Sequence, residues 1–214
     1  MSTQPAKGKS KTEILEAAVP LFAEAGFKGV TMRAIARTVG LNAATIYHHF
    51  QDKQTLYIAA MAHAFARKAE ILSAALLSDA PPADRLEQFV AALCQLVHDD
   101  PDFGKLIQRE ILAGDAVRLR LLAEQVFREF FTSLVALCKE LAPGYNPHML
   151  AVSIIGLVAY HYQVIPLRQH QPGSKPEHND PRFVTGHVTH LLLQGIMVRQ
   201  GGEQKSSSAW TASG

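Results

Sequence analysis

The residues with the most to offer chemically lie between Thr31 and Lys53, in the run TMRAIARTVGLNAATIYHH and the few residues after it. Thr31 and Asn42 each stand just before an apolar-periodic segment. There a short polar side chain caps free helical amides and leaves a helix N-terminus that favours an anion. Ala43 and Ala44 are small enough for the backbone that carries them to approach another surface closely. Thr45 brings a hydroxyl and a methyl, a pair suited to a base edge or a thymine methyl in a DNA groove. Tyr47, His48 and Lys53 add donors of the kind that hold a protein in register on phosphates without reading sequence.

The elements that must position these groups are legible from the same run. Ile35, Ala36 and Val39 fall on one face of a short helix after Thr31, and Ile46 faces them from a second short helix that Asn42 opens. Gly40 permits the tight turn between the two. Two short helices about a glycine turn make a helix-turn-helix, whose second helix can enter the DNA major groove. The same shape also occurs as a packing hairpin in proteins that never touch DNA, and geometry alone leaves both readings open. A preceding helix is expected over 11–25, with Ile14, Leu15, Ala18, Leu21 and Phe22 as its inward stripe. Pro20 bends it, and Gly26 ends it so that Phe27 folds back onto the last turn.

Beyond His49 the periodicity stays helical. Helices are expected at about 52–76, 84–98, 102–112, 116–141, 147–164 and 182–200, with breaks at Ala80-Pro81-Pro82, Asp100-Pro101, Gly114, Pro143-Gly144 and the polar stretch Pro166–Pro181. With no alternating strand pattern, the fold class is all-α, eight or nine helices. The charge divides unevenly. Residues 1–53 hold seven Lys/Arg against four Asp/Glu, a net +3, while the remainder holds fourteen against fifteen, a net −1. Three lysines of the excess, Lys7, Lys9 and Lys11, sit in the N-terminal tail. A basic arm beside a compact module suits an anionic partner.

The stretch from Ile14 to Leu56 resembles the N-terminal signature of TetR-family transcriptional regulators. The residues that carry the likeness are Ile14, Ala17, Ala18, Phe22, Gly26, Thr31, Ile35, Ala36, Gly40, Tyr47, Phe50, Lys53 and Leu56. The resemblance implies that Thr31, Arg33, Ala43, Ala44, Thr45, Tyr47, His48 and Lys53 touch double-stranded operator DNA, with Asn42 capping the recognition helix among them. Phe50 and Leu56 would be core. Many members have a serine and a basic residue where this chain has Asn42, Ala43 and Ala44. Direct base readout is therefore expected to be sparse, with DNA shape and backbone contacts carrying more of the specificity. The resemblance further implies a homodimer, a C-terminal domain that holds a small-molecule effector, and repression relieved when the effector binds.

For the dimer, the apolar excess of the last two long helices points to Leu150, Ile154, Leu157, Val184, Val188, Leu191 and Gly195. For the effector, Phe65, Phe103, Phe127, Phe131 and Tyr162 supply apolar bulk, with Gln95, Gln108 and His161 as polar handles. That lining would suit a hydrophobic or aromatic compound. The expected division is a basic tail over 1–10, a DNA-binding domain over 11–53, an effector-binding and dimerisation domain over 54–201, and a tail over 202–214 that carries Trp210.

Other classes find less support. No nucleophile elbow, zinc-protease motif, Walker loop or dinucleotide fingerprint occurs, so no enzyme and no cofactor is expected. The histidines His161, His170, His178, His187 and His190 are scattered over separate elements with no cysteine among them, so no metal site is expected. Cys94 and Cys138 are read as reduced core residues. No segment has the length of a membrane helix and the N-terminus lacks an apolar leader core, which together lead us to expect a cytoplasmic protein.

Overall fold

The computed structural model describes residues 10–200. The basic tail around Lys7 and Lys9 and the C-terminal tail with Trp210 lie outside the described residues. Among the described residues eleven α-helices are found: α1 Lys11–Gly29, α2 Met32–Val39, α3 Ala43–His49, α4 Lys53–Leu76, α5 Pro82–Asp99, α6 Pro101–Ala113, α7 Ala116–Gln125, α8 Arg128–Leu141, α9 Pro147–Gln163, α10 Ile165–Arg168 and α11 Pro181–Gln200. No strand occurs among the described residues, and none of their helices is long and apolar enough to cross a membrane.

Most boundaries fall where capping chemistry puts them. Ser10, Thr31, Asn42, Asp100, Asp115 and Asn146 each accept a backbone amide at the start of a helix. Gly40 closes α2 with φ 71°, a left-handed conformation in which its amide reaches the carbonyls of Ala36 and Arg37. Gly26, at φ 68°, breaks α1 one residue before Phe27, whose ring turns back to lie 6.5 Å from that of Phe22. Pro20 is accommodated within the helix on its exposed side.

Two details depart from expectation. The segment 116–141 is two helices, separated at Val126 and Phe127, whose amides both turn back to the carbonyl of Leu122. No glycine or proline marks this break. Both residues pack against the core, and the break lets the helices on either side face inward. The stretch from Pro166 to Pro181 begins with α10 and contains a 3₁₀ turn at Pro176–Asn179. Arg168 ties the two together by donating to the Asn179 side chain at 2.7 Å and the His178 carbonyl at 3.2 Å.

Contacts divide the chain into two compact units that do not follow chain order. One takes the chain up to Ala74 together with Gln95–Thr132, and the other takes Ala75–Cys94 together with the chain from Ser133 onward. In the first, α1, α2, α3 and the start of α4 surround a core of Ile14, Ala18, Phe22, Ile35, Ile46, Phe50, Leu56, Tyr57 and Met61, closed from α6 and α7 by Leu106 and Leu122. In the second, α9 packs against α11, with Leu150, Ile154, Val158, Val184 and Val188 buried. Cys94 and Cys138 are both buried free thiols there.

Candidate nucleic-acid interface

The first unit carries the helix-turn-helix. Val39 and Ile46 are buried across the turn, so α2 and α3 are fixed to each other by packing rather than by the turn alone. Their polar residues are left outside. Thr31, Arg33, Asn42, Ala44, Tyr47 and His48 are exposed, and Ala43 and Thr45 partly so. The Tyr47 side chain stands 52% exposed at a position where α3 has no core to reach.

At the N-terminus of α3 one oxygen serves two donors. Asn42 Oδ1 accepts from the Thr45 amide at 2.8 Å and from the Thr45 hydroxyl at 2.9 Å. Thr31 Oγ1 accepts in the same way from the Ala34 amide at 3.1 Å. Capping leaves the remaining first-turn amides of α2 and α3 available to an anion. The turn after α3 ends at Asp52, which accepts from the Thr55 amide at 2.7 Å; these hydrogen bonds to Thr55 hold its carboxyl below the usual range.

Lys53 is placed differently from a free phosphate ligand. Its ammonium donates to the carbonyls of Phe27 at 2.9 Å and Val30 at 3.0 Å, and lies 4.3 Å from the centre of the Phe27 ring. Burial, with the nearby Arg118 guanidinium, lowers its pKa. Lys53 thus caps the chain end of α1 and fixes the approach to α2. An ammonium has three donors, so one remains for another acceptor.

The effector candidates separate. Phe65, Phe103 and Phe127 come together in the first unit and are joined by Phe130, which the sequence reading did not single out. Ring centres lie 5.8 Å from Phe65 to Phe103, 4.8 Å to Phe127 and 5.7 Å to Phe130. Lys68 lies 5.0 Å from the centre of the Phe103 ring and pairs with Asp100 at 2.8 Å. Phe131 is half-buried, Gln108 is exposed, and Gln95 is exposed and donates to Asp99. His161 and Tyr162 belong to the second unit. There Tyr162 and Thr185 lie beside the Cys94 thiol, and burial pushes the Tyr162 pKa up.

The dimer candidates also divide. Leu150, Ile154, Val184 and Val188 are core of their own unit, which explains their periodicity without a partner. Leu157 is half-buried, and Leu191 and Gly195 face outward. The outward face of α9 and α11 adds Met149, Val152, Tyr160 and Phe183, at 59%, 45%, 65% and 47% exposure. A groove of 510 Å³ runs along it, lined by Ser153, Gly156, Leu157, Tyr160, His161, His187 and Leu191. The rings of His161 and His187 meet there at 5.6 Å. No group of three or more possible metal ligands occurs among the described residues.

The sequence reading passed over Tyr57, Glu110 and Arg118. Glu110 and Arg118 are buried charges: Arg118 Nε donates to Glu110 Oε1 at 2.8 Å, and the Tyr57 hydroxyl donates to Glu110 Oε2 at 3.0 Å. The available signal was the position of Glu110, four residues after Leu106 and so on the stripe that Phe103 and Leu106 bury.

Comparison with known proteins agrees with the geometry. Residues 14–60 match the model of the bacterial regulatory proteins, tetR family. The HTH-type transcriptional repressor AcnR of Corynebacterium glutamicum is 33% identical over 120 residues, covering 52% of this chain and 64% of that protein. The chain thus spans just under two thirds of the length of the AcnR relatives it matches. Among solved structures, the transcriptional regulator FadR of Bacillus subtilis, in complex with stearoyl-CoA, superimposes with a TM-score of 0.72 at 18% identity, over 87% of this chain and all of that one. AibR, in complex with isovaleryl coenzyme A and operator DNA, gives 0.64 at 21% identity, over 85% and 97%. Residues 14–60 thus carry a DNA-binding domain of the tetR family type.

Proposed function

We propose that this chain is a cytoplasmic, homodimeric transcriptional repressor that binds a palindromic operator and leaves it when an apolar small molecule binds. The observation that carries the reading is the division of the helix-turn-helix. Its apolar residues are buried, while Thr31, Arg33, Asn42, Ala43, Ala44, Thr45, Tyr47 and His48 are left at or near the surface around two capped helix N-termini. Residues 11–53 are the reading head, and residues 54–201 serve dimerisation and sensing. Lys53 fixes the head from within and offers its remaining N–H to a phosphate.

The outward face of α9 and α11 is the dimerisation surface in this reading. Tyr160 and Leu191 are its apolar anchors, and Gly156 and Gly195 allow close approach. One head alone, with a net charge of +3 over residues 1–53 including its tail, would bind weakly; joining two raises the effective concentration of the second and sets half-sites about one helical turn apart. The effector site is placed at the aromatic cluster of Phe65, Phe103, Phe127 and Phe130. Acyl-CoA thioesters are the first compounds to try, because FadR and AibR, which share the fold, are complexed with them. Release needs only that the effector bind a head-splayed state better than the DNA-fitting one.

The reading is tested by fluorescence anisotropy on duplexes from the DNA flanking the chain's own gene, at two salt concentrations, with and without stearoyl-CoA or isovaleryl-CoA. Affinity should fall steeply between about 50 and 200 mM salt, and an effector should lower it further. Binding that ignores salt would refute the phosphate contacts, and binding that no apolar compound disturbs would refute the sensing role.

A further inference from the structure

The reading head is fastened to the rest of its unit by charge. Helix α1 packs extensively against α6, and beside that contact α6 carries Glu110, which is 3% exposed. Its two carboxylate oxygens are committed to different helices, Oε1 to Arg118 on α7 at 2.8 Å and Oε2 to the Tyr57 hydroxyl on α4 at 3.0 Å. The Arg118 guanidinium also pairs with Asp115 at 3.0 Å and lies 4.1 Å from the centre of the Phe27 ring. Phe27 is the residue whose carbonyl Lys53 caps and whose ring Lys53 also meets. Tyr57 touches that ring as well, edge to face at 5.3 Å. The end of α1 and the start of α4, which together frame the helix-turn-helix, are thus tied through one ring and one carboxylate to α6 and α7.

A buried ion pair is a poor device for stability, because desolvation offsets most of the attraction and apolar replacements are often as stable or more so. What charge and hydrogen bonds supply is direction. Apolar helix faces can slide by a fraction of a side chain at little cost, whereas a carboxylate shared between two donors holds both to within a few tenths of an ångström. We propose that Glu110 and Arg118 are positioning residues that set the angle of the reading head, so that a displacement of α6 or α7 is passed to α1 through Phe27 instead of being absorbed. The proposal rests on the reading that α3 engages DNA, but the joint itself is open to test without DNA.

The test compares the full-length chain with the paired variant Glu110→Leu/Arg118→Met, which removes both charges together, and with Tyr57→Phe, which removes only one hydrogen bond and keeps the packing. Spin labels on Arg37→Cys in α2 and Arg120→Cys in α7, both exposed positions, report the head-to-α7 distance in samples diluted with unlabelled chain. Operator affinity is measured on the same variants. We expect one narrow distance in the parent and a broad or shifted distribution in the folded paired variant. Its specific affinity should fall by about tenfold or more while binding to unrelated DNA is kept. Tyr57→Phe should move both readouts in the same direction by less, and it decides the matter if the paired variant does not fold. An unchanged distance distribution in a folded variant overturns the joint. A broadened distribution with unchanged specific affinity overturns its positioning role. If the parent itself reads no DNA sequence, the DNA-binding reading fails, and the spin-label distances still decide whether the joint holds the head.

Discussion

The Asn42 carboxamide limits what its neighbour can read. Because the Thr45 hydroxyl donates to Asn42 Oδ1, it would present to DNA acceptor lone pairs and a methyl, with no free proton. Thr45 is therefore matched to the amino groups of adenine or cytosine, or to a thymine methyl, and mismatched to the two acceptors of guanine. Asn42→Ala should cost about 1 kcal/mol of stability through the lost cap, measured by urea denaturation. It should also release the Thr45 hydroxyl, so that base preference broadens at a single position of the site. Tyr47→Ala makes a contrasting pair with Lys53→Met. The exposed tyrosine can be truncated with stability unchanged and operator affinity reduced about tenfold, or about 1.4 kcal/mol. Removing the ammonium should lower stability as well, by about 1 kcal/mol or more, because it leaves the Phe27 and Val30 carbonyls without their charged donor. If Lys53→Met weakened DNA binding and left the urea midpoint where it was, its capping role would be refuted.

At the scale of the element, α9 and α11 bring the rings of His161 and His187 together at 5.6 Å. Burial, then the neighbouring His187 and the Arg168 guanidinium, lowers the His161 pKa below its ordinary 6.5. The unfolded chain therefore binds more protons at this site than the folded one as pH falls through that ordinary value, and stability must decline with it. Thermal unfolding of the parent should drop between about pH 7.5 and 5.5 by more than that of His161→Leu. Equal losses in the two proteins would remove His161 from the account. The helices themselves were largely legible in the sequence, because Thr31, Asn42, Asp100 and Asn146 cap and Gly40 and Gly114 stop them by local chemistry. The division of 116–141 was not, since Val126 and Phe127 interrupt the helix for tertiary reasons that no breaker residue announces. The same limit governed the site. Exposed groups of the reading head followed from the spacing of the buried ones, whereas the bond from Glu110 to Tyr57 spans 53 residues and has no local signature. Leu150, Ile154, Val184 and Val188 mark a further limit: apolar periodicity gives which face is buried, but not whether its own chain or a second copy buries it.

Taken whole, the molecule is read as two basic heads joined by bodies that pair with one another. Pairing through α9 and α11 predicts that Tyr160→Glu, a charge placed at the most exposed aromatic of that face, yields a monomer by sedimentation velocity with its helical content intact. Operator affinity should then fall by orders of magnitude as the second head loses its tether. A Tyr160→Glu dimer of parental affinity would place the interface elsewhere. The most direct measurement of the central claim is selection of bound duplexes from a random-sequence pool by the parent chain, run beside Tyr47→Ala. The account predicts that the parent enriches a palindrome with half-sites centred about one helical turn, or about 10 base pairs, apart, and that Tyr47→Ala enriches it weakly or not at all. A pool that stays random with the parent, or one that Tyr47→Ala enriches equally well, would contradict it.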